Sequence, residues 1–154
     1  MVNKMTQLTP HFSLDELTRS DTAVRLGIDN TPSPEIVANL QMLAYGLEKV
    51  RFLLGLLNRR IIISSGYRCS ALNKALHGAE NSAHMYGYAA DFTCPDFGTP
   101  LDIVKKIAAS DIKFDQIIQE GTWVHISFDP KMRRQVLTAH FNNGVASYTI
   151  GGVM

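Results

Sequence analysis

Between Ser33 and Gly55 the apolar residues Ile36, Leu40, Leu43, Leu47, Val50 and Leu54 recur at alternating steps of four and three, which predicts one long helix with a single buried stripe. Ser33 followed by Pro34 supplies an N-cap with proline at the first helical position, and Gly55 marks the stop. The texture then changes. Ile61-Ile62-Ile63 is a β-branched run that reads as a short buried strand, closed by Ser64-Ser65-Gly66. Earlier in the chain, Ser13-Leu14-Asp15-Glu16 has the form of a capping box that starts a short helix at Leu14, and a second short turn runs from Asp21 or Thr22 to Gly27. Ser70 is placed to cap a brief helix through Leu76, with His77 to Ser82 as a loop, and Thr99-Pro100 opens a helix to about Ser110. Gly87 to Cys94 reads as a strand of small residues around Asp91. Phe114 to Gln119 and Thr122 to Phe128 are strands joined at Glu120-Gly121, and Asn143-Gly144 marks a second hairpin. Helices first and strands later predict α+β architecture, with N-terminal helices packed on a small, mostly antiparallel sheet, rather than alternating βαβ units.

Length and charge limit the function classes. A chain of 154 residues fits one ordinary domain, so residues 1–154 are expected to fold as a single unit. No apolar run approaches the roughly 18 residues of a membrane span, Phe52 to Leu57 being far too short, which predicts no membrane insertion. Met1 to Phe12 lacks the continuous apolar region of a secretory signal, so synthesis in the cytoplasm is expected. A net charge of +1 offers no general attraction to nucleic acid or anionic lipid, and none is expected as a partner. Cys69 and Cys94 are expected to stay reduced in that compartment.

Three short segments carry metal-ligating chemistry: Ser82-Ala83-His84, Gly87-Tyr88-Ala89-Ala90-Asp91-Phe92 and Trp123-Val124-His125-Ile126-Ser127. Two imidazoles and a carboxylate suit zinc with one open position, the arrangement of a catalytic rather than a structural site. Spacing alone fixes nothing, because a histidine and an aspartate seven residues apart are common.

The wider pattern resembles the zinc D-alanyl-D-alanine carboxypeptidase family, in particular its short members from phages and prophages. The resemblance runs from His11 to Phe128 and rests on four blocks in order: His11-Phe12-Ser13-Leu14-Asp15-Glu16-Leu17; Ser64-Ser65-Gly66-Tyr67-Arg68 with Asn73; Ser82 to Phe92; and Trp123-Val124-His125. It implies the DD-peptidase or hedgehog-like zinc peptidase fold, one Zn2+ per chain held by His84, Asp91 and His125, and a substrate role for Arg68, with Ser82 as a further substrate contact. It also implies hydrolysis of peptide bonds in peptidoglycan stem peptides, of carboxypeptidase or endopeptidase type. The expected setting is a monomeric phage or prophage endolysin acting on the wall after release.

The general base departs from the family pattern. Better-known branches carry an acid three positions before the last zinc histidine, where this chain has Thr122; the nearest carboxylate is Glu120, with Asp115 in reserve. An odd separation along one strand puts Glu120 and His125 on opposite faces unless Gly121 breaks the alternation. His11, His77 and His140 are expected to be capping, surface or core residues, Trp123 a wall, and Arg59-Arg60 and Arg133-Arg134 solvated faces. Two rival readings remain: a Cys-His peptidase with Cys69 as nucleophile and His125 as base, and a zinc-containing wall-binding module without catalysis.

Overall fold

The computed structural model describes residues 6–55 and 60–151. Met1 to Met5 of the N-terminal stretch, Leu56 and Leu57 of the short apolar run, and Arg59 lie outside the described residues.

Ser13 Oγ accepts the Glu16 N–H at 3.1 Å and starts helix α1 (Leu14–Thr18), and α2 (Asp21–Leu26) follows from a Ser20 cap. The long apolar stripe folds as α3 (Pro34–Leu53), with the Ser33 hydroxyl accepting the Ile36 N–H at 3.3 Å. Its Leu40, Leu43, Leu47 and Val50 are fully buried, as the period of 3.6 requires of one face. Ahead of these helices, β1 (Gln7–Thr9) pairs with β2 (Phe12–Ser13), a two-stranded element with too few residues to show a period.

The remaining strands are β3 (Ile62–Ser65), β4 (Ala89–Thr93), β5 (Gln116–Gln119), β6 (Val124–Ser127), β7 (Gln135–Asn142) and β8 (Val145–Ile150). They form a six-stranded sheet in the order β3-β4-β6-β5-β7-β8, antiparallel except for the β5–β7 pair. The expectation that Ile61-Ile62-Ile63 forms a buried strand is corrected. Ile61 is buried, but β3 lies at the sheet edge and leaves Ile62 47% exposed, while the central strand β4 is the buried one. Helix α4 (Ser70–Ala75) is capped by Cys69 rather than Ser70, because the Asn30 side chain accepts the Cys69 N–H at 2.8 Å and the chain turns helical one residue earlier than expected.

Helix α5 (Pro100–Ala108) opens with a full capping box between Thr99 and Asp102. Its Ile103, Val104 and Ile107 join the α3 stripe against Ala90, Phe92, Ile117, Val124 and Ile126 to make the core on one side of the sheet. Since strand side chains alternate, the residues between these point to the other side. Paired registers then run Ser65, Asp91, His125, Ile118 and Leu137 in one row across β3, β4, β6, β5 and β7.

The Arg133-Arg134 pair is solvent-exposed, as expected, and also makes side-chain contacts at the start of β7. Arg133 Nε and Nη2 donate to the two oxygens of buried Asp115 at 2.8 and 2.9 Å. Arg134 lies 4.7 Å from the centre of the Phe114 ring and donates to the Ile112 and Ser110 carbonyls. Desolvated partners 18 or more residues away in sequence draw both arginines onto the sheet. Asn143 and Gly144, with φ of +52° and +79°, make the tight turn between β7 and β8 that their dipeptide predicts.

Candidate metal centre

The sheet brings Asp91 and His125 together directly. They are opposed residues in the β4–β6 ladder, so their side chains leave the same face side by side. His125 Nδ1 stands 3.0 Å from Asp91 Oδ1. His84 arrives from the 3-10 turn Ala83–Tyr86 that precedes β4, where Ser82 Oγ accepts the His84 N–H at 3.2 Å. The His84 ring bonds at 2.7 Å through Nδ1 to the Gly66 carbonyl, which can only accept, so Nδ1 carries the proton and Nε2 is left with its lone pair. That Nε2 lies 3.2 Å from the same Asp91 oxygen.

The three donor atoms lie within 4.8 Å of one another. Tetrahedral zinc with N and O ligands sets them roughly 3.3 to 3.6 Å apart, so the contacts of 3.0 and 3.2 Å fit after small side-chain shifts. Protonation fits too. Burial of His84, only 3% exposed, pushes its pKa down despite the neighbouring carboxylate and favours the neutral ring. Burial opposes the charge on Asp91, but the His84 and His125 rings outweigh it and hold the carboxyl well below its usual range. A neutral imidazole and an ionised carboxylate are the forms that bind a metal.

Arg68 is built into the same wall. Its backbone N–H donates to the His84 carbonyl at 3.1 Å; its guanidinium reaches Ser65 Oγ at 3.1 Å, and Asn73 Oδ1 and Asp91 Oδ2 each at 3.5 Å. Asn73 is itself buried and donates to the Ala79 carbonyl at 2.8 Å. A side chain at Gly78 would place Cβ 2.0 Å from Asn73 Oδ1, so only glycine lets the 77–82 loop approach so closely. Arg68 lines a cleft of about 540 Å³ together with Ser82, His84, Asp91, Glu120, Trp123 and His125, among others. Ser82 has its oxygen engaged as a cap, leaving its hydroxyl hydrogen as a donor.

Glu120 opens on this cleft, and Gly121 is not the reason. In the β5–β6 hairpin Ile118 is opposed to His125 and Gln119 to Val124, and the Glu120 N–H donates to the Trp123 carbonyl at 3.0 Å. Residues paired across this register are always an odd number apart, so the odd separation from His125 puts Glu120 on the ligand face, in phase with Ile118. Burial pushes the Glu120 pKa up, with Asp91 adding to the rise while His125 and Arg68 oppose it. Trp123 lines the cleft as a wall. Asp115 is taken by Arg133. Cys69 is half-buried at the α4 cap, while His125 turns Nδ1 to Asp91, so the structure gives the Cys-His reading no nucleophile–base contact. His11 pairs with Glu48 at 2.8 Å and His140 with Thr149 at 2.8 Å; His77 lies on the cleft rim. Gln116, Leu137, Phe141 and Tyr148 also line the cleft, and no local motif marks them in the sequence; Asn73 reaches the site only through its contact with Arg68.

A largely buried His-Asp-His group on a cleft, with an arginine and a carboxylate beside it, is a donor set that could hold a metal ion such as zinc. Residues 10–127 match the family model for Peptidase M15, a span holding Arg68, Ser82, His84, Asp91, Glu120 and His125. The chain therefore belongs to the M15 family of zinc-dependent peptidases. No curated protein matches it. No described helix is long and apolar enough to cross a membrane.

Proposed function

We propose that this protein is a single-domain zinc metallopeptidase with the DD-peptidase or hedgehog-like fold, hydrolysing peptide bonds in peptidoglycan stem peptides as a D-Ala-D-Ala carboxypeptidase or endopeptidase. The observation that carries the reading is the convergence of His84, Asp91 and His125 on one cleft with Arg68 and Glu120, in a chain of the M15 family. One zinc per chain, held by those three donors, would supply the Lewis acidity that activates water and polarises the scissile carbonyl. Glu120 takes a proton from the attacking water onto its carboxylate as the water oxygen bonds to the carbonyl carbon. It then returns the proton to the leaving nitrogen as the C–N bond breaks. Arg68 donates to the carbonyl oxygen as negative charge develops there, or holds a substrate carboxylate. Ser82 offers a further hydrogen bond to substrate. A free, half-buried Glu120 beside the ligands supports catalysis over a wall-binding role despite Thr122.

The proposed setting is a monomeric phage or prophage endolysin that reaches the wall after cytoplasmic synthesis, supported by the resemblance to short phage-type members. Hydrolysis of purified peptidoglycan, with mass analysis of the products, tests the activity: native and zinc-restored protein should release the same peptides and chelated protein none. Undiminished release by metal-free protein would overturn the reading.

A further inference from the structure

The cleft has two unlike banks. On the β3–β4 side Arg68, Asn81 and Ser82 offer charge and hydrogen bonds beside Leu76 and the small Ala79 and Ala83. On the other, beyond His125, Ile118, Leu137, Phe141 and Tyr148 make a mainly apolar wall with Gln116 at its end. Leu137, Phe141 and Tyr148 belong to the β7–β8 hairpin, which lies after the residues that match the family model. Opposed residues share a face, so the pairs Leu137–Ile150, Ala139–Tyr148 and Phe141–Ala146 place both aromatic rings on the ligand side of the sheet. Each ring stands across from an alanine, and the two are diagonal neighbours, leaving Phe141 55% and Tyr148 52% exposed. Three strand spacings, roughly 14 Å in a flat sheet, separate β8 from β6. Tyr148, Phe141 and Leu137 nonetheless line the same cleft as Asp91, Glu120 and His125, so the hairpin curls toward the ligands.

Resting on the peptidase reading above, we propose that the β7–β8 hairpin is the specificity wall of the cleft, with Tyr148 and Phe141 packing against an aliphatic side chain of the stem peptide. A stem peptide suits such a divided cleft. It carries carboxylates and amides, which the Arg68 bank can hold, alternating with methyl groups and the aliphatic stem of a diamino acid, which can cover half-exposed rings. Tyr148 is therefore a specificity-determining residue rather than a catalytic one, and its loss acts on binding.

The test uses a soluble stem pentapeptide ending in D-Ala-D-Ala. Zinc-loaded protein is assayed for kcat and KM, and zinc-depleted protein is titrated with the same peptide using the fluorescence of Trp123, the single tryptophan of the chain, in the cleft wall. Tyr148→Ala and Phe141→Ala should each weaken binding and raise KM about tenfold, the scale of one lost aromatic contact, with kcat, zinc content and melting temperature kept. Tyr148→Phe should retain most of the affinity. Ser147→Ala, opposed to His140 and so on the other face of β8 from Tyr148, should change nothing. Unchanged KM and binding in both alanine variants would overturn the hairpin's role while leaving the peptidase reading intact. A loss of kcat or zinc in step with KM would make the hairpin structural instead. A wild-type protein that neither binds nor cuts the peptide would overturn the hairpin's role, whereas the peptidase reading falls only if purified peptidoglycan is also left uncut.

Discussion

Replacing Glu120 by glutamine separates proton transfer from everything else in the cleft. The amide keeps the size of the side chain, and zinc content should stay at the wild-type level, because the proposed metal donors are His84, Asp91 and His125. Arg68 also keeps its contacts to Ser65, Asn73 and Asp91, so binding and polarisation persist and only the proton acceptor is lost. Turnover should then fall by a factor of about 10² to 10⁴ with little change in KM. The pH dependence is specific. The wild-type rate should fall on acidification as Glu120 takes up its proton, and that limb should disappear in Glu120→Gln; in the metal-free protein burial and Asp91 raise the Glu120 pKa above its ordinary 4.5. Stability should move the opposite way. A carboxyl whose pKa is raised on folding stabilises the protein fully below its unfolded pKa, and this contribution is lost as pH rises through the folded value. At neutral pH the metal-free wild type therefore bears a cost that the amide lacks, so Glu120→Gln should melt slightly higher at pH 7, with the gap closing toward pH 4. Initial rates on a stem peptide from pH 4 to 9 and thermal melts of metal-free protein over the same range check both. Turnover within a factor of about three of wild type, with the acidic limb intact, would refute Glu120 as the base.

The His84→Ala/His125→Ala double variant should lose bound zinc by metal analysis, and chelation should lower the melting temperature of the wild type without abolishing cooperative unfolding, because the α3–α5 core lies on the opposite side of the sheet. Arg68→Lys should lower kcat/KM by about 10- to 100-fold, since one ammonium cannot meet Ser65, Asn73 and Asp91 together; an unchanged value would make the guanidinium a structural group only. Cys69→Ser should keep most of its turnover, and complete loss with metal and folding intact would revive the Cys-His reading. Arg133→Ala should lower the melting temperature at neutral pH and leave zinc content alone. Arg133 holds the Asp115 pKa down, so this stabilisation is present above the unfolded carboxyl value, and the difference from wild type should shrink on acidification.

What could be read along the chain is what local physics decides. The α3 stripe, its Ser33 cap and the Asn143-Gly144 turn each lie within a few residues, and each formed as the periodicity or turn chemistry dictates. Whether a β-branched run is buried is not local: Ile61-Ile62-Ile63 has the composition of a central strand, yet its rank at the sheet edge exposes Ile62. Arg133 and Arg134 are solvent-exposed, as their composition suggests, but their contacts with Asp115 and Phe114 depend on residues 18 or more positions away and cannot be read locally. The candidate metal donors show the same division more sharply. Their residue types suggested zinc, but only the opposition of Asp91 and His125 across β4 and β6 makes three scattered side chains one site. Glu120 is the instructive case, because counting along a single strand gives it the wrong face. A hairpin folds the count back on itself, and the pairing of Ile118 with His125 makes every cross-strand separation odd. The same principle reaches Tyr148. Nothing near it in sequence marks a substrate wall; it comes to the cleft because β7 returns parallel to β5 and carries β8 with it, so its role is set by strand order rather than by any motif.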